Sequence, residues 1–400
     1  MRRRGIRANP QFKSVVLFTM LGLGSGWSIT THADDNAKME LNISGIDISG
    51  GITTILQSTD GAPVNATDFS YSLDLGLEAR VSQHGKAVVA LEAGDGLGVD
   101  TTLGSLSTAN YDAFYTNLTN ATSDVTNVVV PSVSQAYYQG EYWDGNIVLS
   151  IGKLDVHSMY DDNAYANDET DQFLSAIFVR SSGTNYAELD QYYAPGISLQ
   201  YAASHSIDLT FIASNGNQDG FHDVFDYMYL VGQISFKSRL AGRDGNYRLY
   251  IISDDRHNAY HKINTGKVTL NIALGASFDQ AVSDGVGLFA RYSTQDDTIA
   301  ENIVKSAWSV GTLIEGNLWG RDKDTVGLAY GIVMLNDKAS PATVLGFNNT
   351  GDESHIEAFY KFGVSDHFTL TTDVQLISNN GGDGSADAVT VAGLRGQLNF

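Results

Sequence analysis

The chain has 400 residues with 46 acidic and 24 basic side chains, a formal net charge of −22 and no cysteine. This charge disfavours nucleic acid as a partner, and the missing thiols exclude a disulfide framework and a thiolate metal site. Gly (41), Tyr (20) and Phe (17) are abundant and Pro (5) is scarce, which suits either a large secreted β-sandwich or an outer-membrane barrel.

The first 33 residues are organised as a secretory signal peptide. Basic residues precede an apolar core from Val15 to Leu23, and the small residue Ala33 ends the segment. Removal of residues 1–33 during export to the periplasm takes the formal charge from −22 to −27, because five positive charges leave with it. The remaining chain, residues 34–400, contains no run of 18 apolar residues, so the sequence predicts no transmembrane helix.

Apolar and polar residues alternate with a period of two along most of the chain after Met39. From Tyr71 to Val81, and again from Val268 to Phe278, one face is apolar and the other polar or small. Such strands fit an outer-membrane barrel, but a soluble sandwich alternates as well. Sixteen strands are predicted: Leu41 to Leu56, Tyr71 to Val81, Ala87 to Ala93, Val133 to Tyr142, Ile147 to Lys153, Ile197 to Ala203, Ile207 to Ser214, Phe225 to Ser238, Tyr247 to Ser253, Lys267 to Phe278, Val286 to Ser293, Lys305 to Asn317, Thr325 to Leu335, His355 to Phe362, Phe368 to Leu376 and Ala388 to Phe400.

The connections between these strands separate the two folds. Long connections (57–70, 94–132 and 154–196) alternate with short ones (82–86, 143–146 and 204–206). An even strand number with short turns on one side predicts an all-β fold, a transmembrane antiparallel β-barrel of about sixteen strands. Counted from a periplasmic N terminus, residues 154–196 form the third external loop. We expect this loop to fold inward and narrow the aqueous lumen of a sixteen-stranded barrel.

The stretch from Ile151 to Arg180 carries a motif. It is too long for a hairpin turn, and its second half is too apolar for a linker. Three segments run in order: Gly152 to Asp155, Tyr160 to Asn163, and Ala164 to Leu174. They resemble the signature of the carbohydrate-selective porin family (OprB-like), with Tyr160 where the family usually has Phe. The motif residues assigned to the constriction are Gly152, Lys153, Asp155, Tyr160, Asp161, Asn163, Asn167, Asp168, Glu169, Gln172 and Phe173.

The resemblance extends over roughly Tyr137 to Phe400. It implies a channel in the bacterial outer membrane through which mono- and oligosaccharides diffuse passively, without a cofactor and without enzymatic activity. A search for a nucleophile elbow, a His-Glu-x-x-His motif and a phosphate-binding Gly loop in the sequence finds none, which also argues against an enzyme. Two alternatives stay open: a general, cation-favouring porin without sugar selectivity, and a structural β-barrel of the envelope with a plugged lumen.

A sugar-conducting pore needs hydrogen-bonding groups for hydroxyls, aromatic faces and some fixed charge. Each of these groups could instead belong to an ion-pair ladder that stabilises the barrel interior. The acidic loop also suggests calcium, but its spacing fits no EF-hand, and no metal site is predicted. Strand parity gives these candidate pore-lining residues: Asp74, Glu78, Arg80, Arg248, Tyr250, Arg291 and Arg395.

The last predicted strand alternates and ends in an aromatic residue, Phe400. This ending looks like the C-terminal signature of bacterial outer-membrane barrels, which their assembly machinery reads. We therefore predict Phe400 as an assembly signal. The predicted partners are small sugars, outer-membrane lipid and the barrel-assembly machinery. The sequence leaves open which sugar passes and whether the chain is a monomer or a homo-oligomer.

Overall fold

The computed structural model describes residues 41–43, 45–61, 65–96, 98–113, 132–184, 193–216, 224, 226–255, 260–338 and 351–400. The predicted signal peptide and the predicted strand start at Phe225 lie outside these residues. The described strands are β1 (Leu41–Ile43), β2 (Ile46–Asp60), β3 (Thr67–Arg80), β4 (Gly85–Asp95), β5 (Ser132–Tyr142), β6 (Ile147–Asp155), β7 (Tyr193–Ser204), β8 (Ile207–Asn215), β9 (Met228–Leu240), β10 (Arg243–Asp254), β11 (Asn271–Ser283), β12 (Val286–Gln295), β13 (Val304–Glu315), β14 (Thr325–Leu335), β15 (Glu353–Gly363), β16 (Phe368–Ser378) and β17 (Val389–Asn399).

The strands form one closed antiparallel barrel. Each strand from β2 to β17 pairs with its neighbours in sequence, and β17 pairs with β2, where Leu394 lies opposite Leu56. The predicted sixteen-stranded barrel is thereby confirmed. The predicted first strand is in fact two, because Gly45 has a φ of 84° and turns β1 back onto β2. Closure leaves no free sheet edge, which is how a strand protein satisfies its backbone groups in lipid.

The two faces of the strands differ as the alternation predicts. On β11, Ile272 and Leu274 are exposed on the outer face, whereas Asn271 and Ser277 are buried on the inner face. Two short helices, α1 (Asp100–Leu103) and α2 (Ala176–Val179), belong to connections between strands. None of the described helices is long and apolar enough to cross a membrane.

Aromatic rings on the inner wall lie flat over glycines of the next strand. A Cβ placed on Gly327 would lie 2.1 Å from the Cε1 atom of Phe359, its partner across β14 and β15. A side chain at Gly327 would push the ring away from the sheet, so glycine keeps the wall thin there. The same arrangement joins Tyr250 to Gly275 and Phe289 to Gly311.

Candidate functional site

The connection between β6 and β7, residues 156–192, is called loop 3 here. Its described part, residues 156–184, folds inward onto the walls formed by β9 to β17. Within it, Asp161, Phe173 and Phe178 are buried, while Asp162 keeps 42% of its side chain exposed. The prediction that this segment lies inside the barrel therefore agrees with its described residues.

The family motif shapes loop 3 from within. The Asp155 carboxylate accepts hydrogen bonds from the backbone amides of residues 157 and 158, each at 3.1 Å. The Asp168 Oδ1 atom accepts the Thr170 amide at 2.8 Å, as Asp does in Asx turns. The Gln172 side chain accepts the Asn167 amide at 2.7 Å and donates to the Ala164 carbonyl at 3.2 Å. These bonds fix the loop's turns.

Two other motif residues connect loop 3 to the wall. The Asn163 side-chain amide donates to Ser277 Oγ at 3.0 Å, and the Tyr160 hydroxyl lies 2.7 Å from the Tyr229 hydroxyl. At the start of the motif, Gly152 has a φ of 145°, and the Lys153 ammonium group donates to the Val133 carbonyl at 2.7 Å. The motif thus combines internal turns with attachment points.

Arg291, on β12, is buried under loop 3 with 3% of its surface exposed. Its guanidinium donates to the Asp161 carboxylate at 3.2 Å, to the Asp161 carbonyl at 2.9 Å and to the Asn167 side chain at 3.1 Å. It also donates to the carbonyls of Ala166 and Phe178. One guanidinium therefore contacts the start and the middle of the acidic half of the loop, residues 161–172, and also its apolar half.

Arg395, on β17, plays the same part on the other side of loop 3. It donates to the Glu169 carbonyl at 2.6 Å and to the Gln172 carbonyl at 2.9 Å. Two residues further along the same inward face, the Gln397 amide donates to Thr170 Oγ1 at 2.7 Å. The acidic half of loop 3 is thus attached to β17 as well as to β12.

Arg248 and Tyr250, on β10, form the third attachment. Arg248 donates to Asp279 at 2.6 Å on the neighbouring strand and to Asp162 of loop 3 at 3.2 Å. The Tyr250 hydroxyl donates to Ser181 Oγ at 2.6 Å. Four of the seven predicted pore-lining residues therefore contact loop 3 directly. Their role in conduction stays a prediction.

The apolar second half of loop 3 packs on the glycine-backed rings of the wall. The Phe173 ring centroid lies 5.0 Å from that of Phe359 and 5.5 Å from that of Phe289. Phe178 and Ile177, which belongs to α2, are also buried in this cluster. Burial of these side chains stabilises the inward position of the loop, at about 1.5–3 kcal/mol for each fully buried side chain.

A second connection also enters the lumen. Residues 96–131 between β4 and β5, called loop 2 here, are described from 98 to 113. In this part Ser72 Oγ donates to Asp112 at 2.8 Å, the Asn110 side chain donates to Ser70 Oγ at 3.1 Å, and the Tyr111 amide donates to the Leu174 carbonyl at 3.0 Å. From the sequence, an inward fold is predicted for residues 154–196 and not for loop 2. The small and apolar residues in its first part, which include Val99, Leu103 and Ala109, were the sequence feature that could have indicated the burial of loop 2.

The remaining predicted residues lie on the inward face of β3. Asp74 is directly opposite Glu92 of β4, and the Tyr193 hydroxyl donates to the Glu92 carboxylate at 2.6 Å. Glu78 forms an ion pair with Lys86 at 2.8 Å. At the end of β3, Arg80 is exposed. Asp74, Glu78 and Glu92 thus form a group of carboxylates on β3 and β4; of the loop-binding arginines, Arg248 and Arg291 lie on β10 and β12, and Arg395 lies on β17, which pairs with β2.

Burial changes the protonation of the acidic groups in loop 3. It raises the pKa of Asp168 to about 6 and that of Glu169 to about 8, although the Arg180 guanidinium opposes the latter shift. Burial likewise raises the pKa of Asp112, in loop 2, to about 6. In the part of the chain that the structure describes, no group of three or more His, Asp or Glu side chains is placed to hold a metal ion.

Comparisons with known proteins agree with this geometry. The family model described as carbohydrate-selective porin, OprB family, matches residues 58–400. Among curated proteins, Porin B of Pseudomonas aeruginosa is 29% identical over 132 residues, which cover 30% of this chain and 29% of that protein. An uncharacterised protein of Aquifex aeolicus is 25% identical over 228 residues, 57% of this chain and 58% of the relative. These alignments span less than two thirds of either relative.

Solved structures show the same fold. The high-pH structure of Pseudomonas putida OprB superposes with a TM-score of 0.73 at 17% identity and covers 89% of this chain and 94% of that one. The outer-membrane channel DcaP of Acinetobacter baumannii superposes with a TM-score of 0.55 at 13% identity, over 90% of this chain and 99% of that one. The likeness to both is one of barrel architecture.

Proposed function

Because the chain belongs to the carbohydrate-selective porin, OprB family, we propose that it forms an outer-membrane channel for the passive diffusion of small carbohydrates. The inward position of loop 3 carries the proposal. A sixteen-stranded barrel leaves an aqueous channel, and two inserted loops reduce its width while presenting polar groups to the remaining space. A sugar needs such a passage, because its hydroxyls exchange hydrogen bonds with the wall as water is removed.

We infer that the carboxylate side of the lumen contacts the sugar. Asp74, Glu92 and Tyr193 lie together there, and carboxylate oxygens accept hydrogen bonds from neighbouring hydroxyls of one sugar ring. Across the lumen, Asp162 and Asn167 of loop 3 are partly exposed. Such contacts are weak and repeated, so that a sugar enters and also leaves, since tight binding would slow its exit.

A general, cation-favouring porin is the second candidate, and the distribution of charge favours it. The arginines of the lumen are paired or covered: Arg248 contacts two carboxylates and Arg291 contacts Asp161. In the described part of the chain, neither Asp74 nor Glu92 forms an ion pair with a basic residue. Asp74 is partly exposed, and a carboxylate without a basic partner beside an aqueous path favours cations.

Single-channel recordings in a planar bilayer separate these functions. In a sugar channel, glucose or a disaccharide reduces the current stepwise, and Asp74→Asn weakens this block more than it changes potassium conductance. In a general porin, sugars leave the current unchanged and Asp74→Asn lowers cation selectivity. Arg80→Ala serves as a comparison, because Arg80 lies at the exposed end of β3. A structural barrel gives no current steps with any variant.

We further propose that export through the periplasm and recognition by the barrel-assembly machinery precede function. Phe400 supports the second step. Its amide donates to the Gly50 carbonyl at 2.9 Å and its carbonyl accepts the Gly50 amide at 3.0 Å, beside the seam where β17 meets β2. The ring itself is 37% exposed. Phe400 lies at the seam between β17 and β2, so the assembly machinery can bind it before the barrel closes. This holds whether the product is a monomer or a homo-oligomer.

A further inference from the structure

Three polar residues on the inward face of β15, namely Glu353, His355 and Glu357, are completely buried. They occupy alternate positions, so their side chains point the same way into the lumen. Buried carboxylates are costly unless they are paired and hydrogen-bonded. The partners of these side chains lie mainly in loops 2 and 3.

Glu353 binds loop 2. Its carboxylate accepts the backbone amides of Leu106 at 2.9 Å and of Ser107 at 3.0 Å. A third amide, from Gly381 in the connection between β16 and β17, donates to it at 2.7 Å. Three backbone donors, together with His355 Nε2 at 2.8 Å, match the acceptor capacity of an ionised carboxylate.

Glu357 binds loop 3 in the same way. One carboxylate oxygen accepts the Leu174 amide at 2.6 Å, and the other accepts the Ser175 amide at 2.9 Å. Both amides precede α2, whose side chains pack into the apolar cluster of loop 3. Glu357 therefore fixes the point at which the apolar half of loop 3 begins.

His355 lies between the two carboxylates and joins the two loops. Ser175 Oγ lies 3.1 Å from His355 Nδ1 and donates to the Thr108 carbonyl of loop 2 at 3.2 Å. A hydroxyl has one hydrogen, so if that hydrogen is given to Thr108, Nδ1 must carry its own proton and donate. Nε2 contacts Glu353, so both ring nitrogens of His355 have partners: Glu353, which binds loop 2, and Ser175 in loop 3.

We propose that Glu353, His355 and Glu357 are positioning residues that hold loops 2 and 3 against each other and thereby set the width of the constriction. The His355 side chain is the central link, because it connects Glu353, and so loop 2, to Ser175 of loop 3. The conductance part of this inference rests on the proposed channel function. Besides the two carboxylates of β15, Asp100 of α1 interacts with His355, and Asp373 of β16 faces Glu357.

Hydrogen exchange of the refolded barrel, read by mass spectrometry on peptides from both loops, tests the proposal directly. Glu353→Gln should accelerate exchange in residues 104–113 at least tenfold, and Glu357→Gln in residues 168–180, since each replaces one of two acceptor oxygens by an NH2 group that cannot accept. His355→Gln should accelerate exchange in both peptides.

A matched control is available in two other connections between strands. His261 and Glu301 form a similar pair at 2.8 Å, but both are 38% exposed and lie in connections away from loops 2 and 3. Glu301→Gln should leave exchange in both loop peptides unchanged. If the β15 variants alter exchange less than twofold, or no more than Glu301→Gln does, the proposal is overturned. Should a Gln variant fail to refold, Glu353→Asp or Glu357→Asp, which withdraws the carboxylate by one methylene, carries the same comparison.

Bilayer recordings of the same variants test the functional consequence. Loosened loops should raise the open-channel conductance and its noise, and should weaken block by sugar. Unchanged conductance in variants with fast exchange would overturn the link between these residues and the constriction. If the natural chain itself shows no sugar block, the sugar-channel proposal fails while the exchange result still decides the positioning role.

Discussion

Replacing Arg291 by alanine should release loop 3 from the wall. Its guanidinium reaches the Asp161 side chain and four further acceptors of that loop, and both side chains of the ion pair are buried. After Arg291→Ala, the Asp161 carboxylate keeps the Ser181 amide at 3.0 Å but loses its countercharge. The arginine therefore controls the docked state of the loop, because its contacts are to the loop.

The expected effect is large. Removing one partner of a buried ion pair costs about 3–5 kcal/mol, because the other charge stays desolvated. The substitution makes the free energy of loop 3 docking less favourable by this amount. Because about 1.4 kcal/mol corresponds to a factor of ten, the fraction of molecules with loop 3 released should rise roughly 10²- to 10⁴-fold. Asp161→Asn added to Arg291→Ala should restore part of the loss, and the double-mutant cycle gives the coupling energy.

Trypsin cleavage at Arg180 provides the assay. Arg180 lies in loop 3 and is 5% exposed, so the protease reaches it after the loop leaves the wall. Arg291→Ala should accelerate cleavage at least a hundredfold, whereas Arg239→Ala, which breaks an exposed pair with Asp244 at a strand end, should not. Unchanged cleavage combined with altered sugar block would refute the reasoning, because Arg291 would then act on the sugar and not on the loop.

Three further predictions concern the wall, the loop and the seam. Gly327→Ala should push the Phe359 ring into loop 3 and destabilise its docking by about 1–3 kcal/mol, measured by the same protease assay. Gly232→Ala, whose Cβ would have 3.6 Å to its nearest neighbour, is the control and should have no effect. Burial raises the Glu169 pKa from 4.5 to about 8, so docking should weaken as the pH rises between these values, and Glu169→Gln should flatten this profile in exchange measurements. Phe400→Ala should lower the yield of assembled barrel in cells more than refolding in detergent, and equal losses would argue against an assembly signal.

The barrel was predictable because its signal is local. Alternation along β11 or β17 shows which residues face lipid, whatever the rest of the chain does, and alternating connection lengths give the even strand count. The family motif likewise lies within one stretch, which runs from the end of β6 into loop 3. Strand ends were less predictable. Asp60 extends β2 four residues beyond the predicted end at Leu56, since pairing with β17 continues that far.

The inward position of loop 2 was not predicted, because its contacts are distant in sequence. The Ala109 carbonyl accepts hydrogen bonds from Gln57 at 3.2 Å and from Gln375 at 2.8 Å, a residue 266 positions away. Strand parity also tells which face an arginine occupies, but not whether water or a loop covers it. Loop 3 covers the side chains of Arg291 and Arg395. The sequence alone does not show that a loop covers them.

Loop 3 is attached to the wall largely through its backbone groups, whereas solute selectivity depends on its side chains. Arg395 and Glu357 bind loop 3 through backbone carbonyls and amides, and Arg291 uses three backbone carbonyls besides two side chains. Backbone groups are present whatever the side chain, so substitutions in the loop can keep these bonds. Asp162 and Asp171 add ion pairs with Arg248 and Lys361, so a change at either removes one attachment while the backbone bonds remain. A channel built this way can alter which solute it prefers while its constriction keeps its position.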